Sequence, residues 1–328
     1  MNYGSPLKNN KCIVCVYFGN IPNYYDLWLK SVNYNKDYDF LLVTDSIVPY
    51  SDKNLTVVNM DLTSFERLAR EKLRTKLNIP YAYKLSDFKP VFGIILSDFL
   101  KDYEYWGYCD LDIILGDLSA FITEDILEKY DKIFPLGHFA LYRNTEEVNN
   151  RYKLKGSTFG DYDEVFVKSK IFVFDEGYGI NNIYKLNNLP IYDKYVMADI
   201  AARHKRLKLT INSKMKNYRY QLFYWDNGKI FRAYIDEDDN MGAEEFAYIH
   251  IKRRRMETPD FNIKEVNSFA ILSNSFMKKS QGLPRPEDIK IYNPYQSYIY
   301  EKFEDITYRT QYQLSRVGRF INRRILKK

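Results

Sequence analysis

The sequence predicts an α/β protein built on a layered sheet. Residues 11–18 form a continuous apolar run, as a strand covered on both faces requires. Stretches with apolar residues at helical spacing alternate with such runs. From residue 11 to residue 112 the elements follow in the order β-α-β-β-α-α-β, the signature of a sheet with helices on both faces.

The first strand, 11–18, is broken by Gly19, Asn20, Ile21 and Pro22. Tyr24, Leu27 and Trp28 then recur at helical spacing over 24–32. Residues 40–44 are a second strand ending at Asp45, and 56–60 are a third. Phe65, Leu68, Ala69 and Leu73 mark a helix over 64–77. Residues 88–100 form another apolar helix, with Pro90 in its first turn, where proline is tolerated. The next strand carries Asp110 and Asp112. Residues 132–136 and 139–143 read as strand and return, 144–152 as a polar helix, 170–174 as a strand and 180–186 as a short helix. Over 218–235 two aromatic strands meet at Asp226-Asn227-Gly228, and Asn-Gly accepts the positive φ of a hairpin turn. Residues 246–252 form a strand carrying His250. The chain divides into a catalytic domain, 1–256, and a helical, basic C-terminal extension, 257–328, punctuated by Pro259, Pro284, Pro286 and Pro294.

Composition narrows the function. With 45% hydrophobic and 28% charged residues over 328 positions the chain folds, and no apolar run approaches the ~20 residues of a membrane span. Residues 1–10 are polar and lack the apolar centre of a signal peptide, so a cytoplasmic protein is expected. Of the net charge of +6, seven positive charges lie from Ile306 onward, where there are no acids. The body is therefore close to neutral, which argues against nucleic acid as a partner. Leu314, Val317, Phe320, Ile321 and Leu326 fall on one side of that tail. Such a helix suits an anionic membrane surface, peripheral on the inner face of the cell membrane, or packs on the body with a solvated basic face. Cys12 and Cys15 form a Cys-x-x-Cys, but inside an apolar strand they read as buried thiols.

The chemistry centres on Asp110 and Asp112. A carboxylate pair in apolar surroundings needs a counter-charge, and a divalent cation with oxygen ligands supplies one. The other reading is a turn with Asp112 as a cap. In open α/β sheets ligands lie beyond the carboxyl ends of the strands. Tyr17, Phe18 and Asp45 stand at such ends, where an aromatic ring and a carboxylate suit a nucleotide base and its ribose. In residues 83–90, Ser86 or Asp87 caps the next helix, or Asp87 meets a sugar hydroxyl with Lys84 near phosphate. His250 is either a structural strand histidine or the further ligand that a site with two carboxylates needs, since imidazole serves manganese. Lys252, two residues on, sits on the same strand face and could neutralise a diphosphate.

The segments Tyr-Lys-Leu-Ser-Asp-Phe-Lys-Pro (83–90), Trp-Gly-Tyr-Cys-Asp-Leu-Asp (106–112), Phe-Asp-Glu (174–176) and Tyr-Ile-His-Ile-Lys (248–252) resemble bacterial glycosyltransferase-like proteins of polysaccharide-biosynthesis loci. More distantly they are similar to nucleotide-sugar transferases of the GT-A fold, a Rossmann-like mixed central sheet. The resemblance spans about residues 11 to 256. It implies a nucleotide-sugar donor, UDP-linked in most such enzymes, a Mn2+ or Mg2+ ion on Asp110, Asp112 and His250, and a phosphate role for Lys252. It also implies a surface-glycan or lipid-linked acceptor, as in capsule or lipopolysaccharide assembly. The Gly-x-x-Lys-Pro-Trp of the best-known branch is missing; Ile-Lys-Arg-Arg-Arg follows the histidine instead. If the transfer inverts the anomeric centre, Asp175 or Glu176 is the carboxylate that deprotonates the acceptor, and if it retains configuration the pair only positions the sugar; the other reading is a cap on the helix that starts at Ile180. Two other classes compete: a non-catalytic sugar-binding module, and a metal-dependent phosphotransferase, against which Ile113-Ile114-Leu115 after the second aspartate counts.

Overall fold

The computed structural model describes residues 9–48, 54–202, 204–210, 213–294 and, between 299 and 310, all but 301, 305, 308 and 309. They form two compact units. The first holds the residues up to Ala198 together with Phe246–His250; the second holds Asp199–Glu245 and the residues from Ile251 on. The units do not part at residue 256, and the aromatic hairpin belongs to the second. The basic segment 311–328, with its expected membrane contact, lies outside the described residues.

The first unit is a mixed α/β structure. Its strands are β1 (Lys11–Tyr17), β2 (Asp39–Thr44), β3 (Leu55–Asn59), β4 (Tyr105–Cys109), β5 (Ile113–Leu115), β6 (Lys132–Leu136), β7 (Phe139–Arg143) and β8 (Ile191–Tyr192). Seven of them make one sheet in the order β3-β2-β1-β4-β7-β6-β8. β3, β2, β1 and β4 run parallel, with Val14 opposite both Leu41 and Tyr108. β7 reverses direction against β4.

Alternation along β1 explains why both faces are covered. Cys12 and Val14 pack into a core with Phe65 and Ala69 of α2 (Leu62–Leu73), whereas Ile13 and Cys15 pack with Trp28 and Val32 of α1 (Tyr25–Tyr34). All three cysteines are buried free thiols. Asp61 caps α2 by accepting a hydrogen bond from the Ser64 amide at 2.7 Å, and the helix ends at Arg74, which takes φ 49°.

Two expected elements take another form. The helix over 88–100 is a 3-10 turn, Lys89–Val91, followed by two single turns, Phe92–Ile95 and Ser97–Leu100. Gly93 lies flat on the Trp106 indole, where a Cβ would come within 2.2 Å of the ring. The strand over 170–174 does not form. The Phe172 and Phe174 amides, which would face one neighbouring strand, both donate to the Asp87 carboxylate instead, and Val173 between them has φ 56°.

In the second unit the expected hairpin is present, with Tyr220–Asp226 and Lys229–Ile235 joined at Asn227 (φ 47°) and Gly228 (φ 87°). Ser268–Ile271 and Phe276–Lys278 extend that antiparallel sheet.

Candidate functional site

Because β1, β2 and β4 are parallel, their carboxyl ends emerge along one edge of the sheet, and the candidate residues gather there. β4 stops at Cys109, and Asp110-Leu111-Asp112 is a turn and not extended strand. The chain continues as β5, outside the seven-stranded sheet, and pairs antiparallel with the strand Tyr248–His250, setting His250 opposite Ile113. That register puts His250 Nε2 3.3 Å from Asp112 Oδ1. One ligand atom from each of Asp110, Asp112 and His250 lies within 4.8 Å of the other two. Two carboxylates and an imidazole at that spacing fit a divalent cation of the Mn2+ or Mg2+ kind.

The hairpin β6–β7 supplies the other wall through its two connecting residues, Gly137 and His138. The His138 carbonyl accepts the Asp110 amide at 3.0 Å, and the Gly137 carbonyl accepts Lys89 Nζ at 2.8 Å. Lys89 also reaches Asp110 Oδ1 at 2.6 Å and Asp175 Oδ2 at 3.1 Å. The ammonium is buried, yet the two carboxylates hold its pKa above the ordinary lysine value. Burial pushes the Asp175 carboxyl up to about 8, against the pull of Lys89. A Cβ on Gly137 would stand 2.4 Å from Asp175 Oδ2, so a larger residue here displaces that carboxylate.

At the nucleotide-side strand ends, Tyr17 is half-buried and donates its hydroxyl to the Asn20 carbonyl at 3.0 Å. Burial, with a smaller push from the charge on Asp112, raises its phenol pKa. Asp45 is exposed and accepts the Gly19 amide at 2.9 Å, tying the loop after β1 to the loop after β2.

Several of the candidate residues have partners within the protein. Phe18 is a core residue, edge-on to Phe65 with ring centroids 5.8 Å apart. Lys84 and Asp87 are both fully buried and paired at 2.7 Å. The Lys84 ammonium spends its other donors on the Val165 and Lys170 carbonyls, and Asp87 holds the two amides of 172 and 174. Lys252 lies in the second unit, where it pairs with Asp199 at 2.9 Å. The strand ends at His250, and Lys252 itself has φ 47°. Asp175 is 3% exposed and held by Lys89, whereas Glu176 is half-buried. Neither residue caps the helix Ile180–Leu186, whose N-cap is Gly179.

Lys89, Gly137 and His138 also bond to this cluster, and sequence reasoning did not single them out. Lys89 stood inside the motif 83–90, but nothing in its spacing distinguished it from Lys84. The described residues also contain a pocket in the second unit, lined by Gln221, Asn274 and Tyr292 beside Arg206. The Arg206 guanidinium is bonded to the Tyr218 and Arg219 carbonyls and to Asn293.

A family model described as a family of unknown function, DUF6625, matches residues 13–280. No curated protein matches the sequence. Solved structures that resemble the fold include the galactosyltransferase LgtC in complex with donor and acceptor sugar analogs, at 11% identity and a TM-score of 0.37, covering 57% of this chain and 75% of that one. The glycosyltransferase GlyE in Streptococcus pneumoniae TIGR4 has 13% identity and a TM-score of 0.26 over 44% of this chain and 38% of that one. The mannosyltransferase Ktr4p from S. cerevisiae has 12% identity and a TM-score of 0.23 over 40% and 41%. Among the described residues no helix is long and apolar enough to cross a membrane.

Proposed function

The chain belongs to the DUF6625 family, whose description assigns no chemistry, and we propose from the site itself that it is a metal-dependent glycosyltransferase. Its donor on this reading is a nucleotide-sugar, of the UDP class, and its acceptor a surface glycan or lipid-linked saccharide. The observation that carries the reading is the convergence of Asp110, Asp112 and His250 within 4.8 Å at the carboxyl edge of the parallel strands. Tyr17 and Asp45 lie along the same edge, where a nucleoside is bound in sheets of this kind. The four sequence segments that resemble GT-A transferases point the same way.

A divalent cation held by Asp110, Asp112 and His250 would supply charge neutralisation for a departing nucleoside diphosphate. The protein's own residues divide the remaining work. Tyr17 and Asp45 bind the nucleoside. Lys89 fixes Asp110 and brings a positive charge to the diphosphate side, a preorganised electrostatic contribution. Asp175 positions Lys89 from behind. Glu176, more accessible than Asp175, is the carboxylate that takes the proton of the acceptor hydroxyl in an inverting transfer.

The test is a thermal-shift screen of nucleotide-sugars with and without Mn2+. The expected result is a stabilising shift for a UDP-linked donor that requires the metal and disappears in Asp112→Ala. Donor turnover in the same samples separates an enzyme from a non-catalytic sugar-binding module. No shift with any nucleotide-sugar, or full donor hydrolysis by Asp112→Ala, overturns the reading.

A further inference from the structure

The described residues between 299 and 310 are helical and carry large apolar side chains that the fold leaves in solvent. Tyr300, Phe303 and Ile306 are 61%, 63% and 61% exposed, and Ile299 is 37% exposed. On a helix, positions 299, 303, 306 and 310 fall within about 60° of arc. Thr310 belongs to this stripe, yet its hydroxyl donates to the Ile306 carbonyl at 3.0 Å. The Thr307 hydroxyl donates to the Phe303 carbonyl at 2.9 Å. Both hydroxyls are satisfied within the helix, which lowers the cost of taking this face out of water.

The other side of the helix is held by the second unit. Glu304 stands about 130° round from the stripe. It pairs with His204 Nδ1 at 3.1 Å. Lys205 Nζ lies 5.7 Å from the centroid of the Tyr300 ring. These contacts leave Ile299, Phe303 and Ile306 facing outward as a contiguous apolar stripe, which marks an interaction surface.

Charge identifies the partner. Residues 309–328 contain seven basic side chains and no acid. In the sequence the spacing of 299, 303, 306 and 310 runs on through Leu314, Val317 and Ile321. A second copy of the chain would bring the same positive charges to the same face, and they repel. A lipid surface with anionic headgroups is negative outside and apolar a few ångströms in, so it accepts both features.

We propose that this face seats the protein on an anionic lipid bilayer. Ile299, Phe303 and Ile306 enter the interfacial layer, and the basic residues that follow meet the headgroups. The inference does not rest on the metal-binding reading, and it brings the protein to the surface where a lipid-linked acceptor lies.

The test uses the full chain and phosphatidylcholine vesicles with and without phosphatidylglycerol, in sedimentation and fluorescence. The protein is expected to bind the phosphatidylglycerol vesicles at least about tenfold more tightly than phosphatidylcholine alone, and to be released by high salt. Phe303→Ser with Ile306→Ser replaces two exposed side chains and is expected to weaken binding by about tenfold or more. Phe303→Trp adds a reporter, because Trp28, Trp106 and Trp225 are all buried. Its emission is expected to shift to the blue on the anionic vesicles and to be quenched by brominated acyl chains. No binding to phosphatidylglycerol vesicles overturns the proposal, as does self-association of the chain in place of vesicle binding. Undiminished binding by the double serine variant, or binding without quenching, also overturns it, since either means that the apolar stripe stays outside the bilayer.

Discussion

Lys89 Nζ stands 2.6 Å from Asp110 Oδ1, so the first aspartate of the Asp-x-Asp turn already has a cationic partner before any metal arrives. The same ammonium reaches Asp175, which lies 65 residues further along the chain than Asp110. The lysine thus joins the turn after β4 to the segment that follows 174.

Removing that charge leaves two carboxylates uncompensated, one of them buried. Lys89→Met is expected to destabilise the metal-free protein by about 3–5 kcal/mol, the usual cost of breaking a buried pair from one side. Part of the loss should return on adding Mn2+, because the cation neutralises Asp110 in place of the ammonium. Denaturant titration with and without Mn2+ checks this; equal losses in both conditions would show that Lys89 and the metal do not share a carboxylate.

Lys84 and Asp87 form the second buried pair, at 2.7 Å, and its role is architectural. Asp87 replaces a missing strand neighbour for 172 and 174, and Lys84 ties down the carbonyls of Val165 and Lys170. Lys84→Met should cost about 3–5 kcal/mol in a urea titration. Its nucleotide-sugar affinity, measured where the variant is folded, should stay within about twofold of the unaltered protein, since neither side chain is exposed. A selective loss of donor binding at unchanged stability would return the pair to the site.

These pairs mark the limit of what the sequence discloses. The parallel strands were legible because burial on both faces forces continuous apolar runs, as in β1 and β2. The hairpin was legible because Asn227-Gly228 is one of few dipeptides that accept its turn. Asp110, Asp112 and His250 were legible as ligand types. The burial of Lys84 and the placing of Lys89 beside Asp110 were not legible, because residue type does not encode burial and both lysines occupy one short segment. Their environments are set by residues 137, 165, 170 and 175, far away in sequence. His138 read as loop because a two-residue connection has no periodicity. The pairing of Lys252 was not legible, because the strand ends at His250 and the backbone beyond it turns into the left-handed region.

Gly137 tests the packing behind Lys89. An added Cβ would meet Asp175 Oδ2 at 2.4 Å and the Glu176 side chain at 3.1 Å. Gly137→Ala is therefore expected to push Asp175 off Lys89 and to cost about 1–3 kcal/mol, as overpacking does. In the Asp175→Asn background the cost should persist, because the clash is steric; in Asp175→Gly it should largely vanish. Thermal melts of the two double variants distinguish these outcomes. An undiminished cost in Asp175→Gly would mean that the glycine is required for another reason.

Lys132 offers a test by pH. It is fully buried in β6, donates to the Phe134 carbonyl and lies over the Tyr142 ring at 5.4 Å. Burial pushes its ammonium down to about 7 from an ordinary 10.5, although Asp175 and Glu176 act in the opposite direction. Between those two values the unfolded chain binds more protons than the folded one, so stability contributed by Lys132 rises with pH, by at most about 1.4 kcal/mol per unit. Below about 7 both states carry the proton and the slope disappears. Lys132→Met has no such slope. Loss of the bond to Phe134 adds an offset, which is the same at every pH where the lysine keeps that bond. The stability of Lys132→Met relative to the unaltered protein should consequently be greatest at pH 6 to 7 and fall steadily toward pH 10. Urea titrations of both proteins across that range provide the comparison, and parallel curves would show that the ammonium is not desolvated as its burial requires.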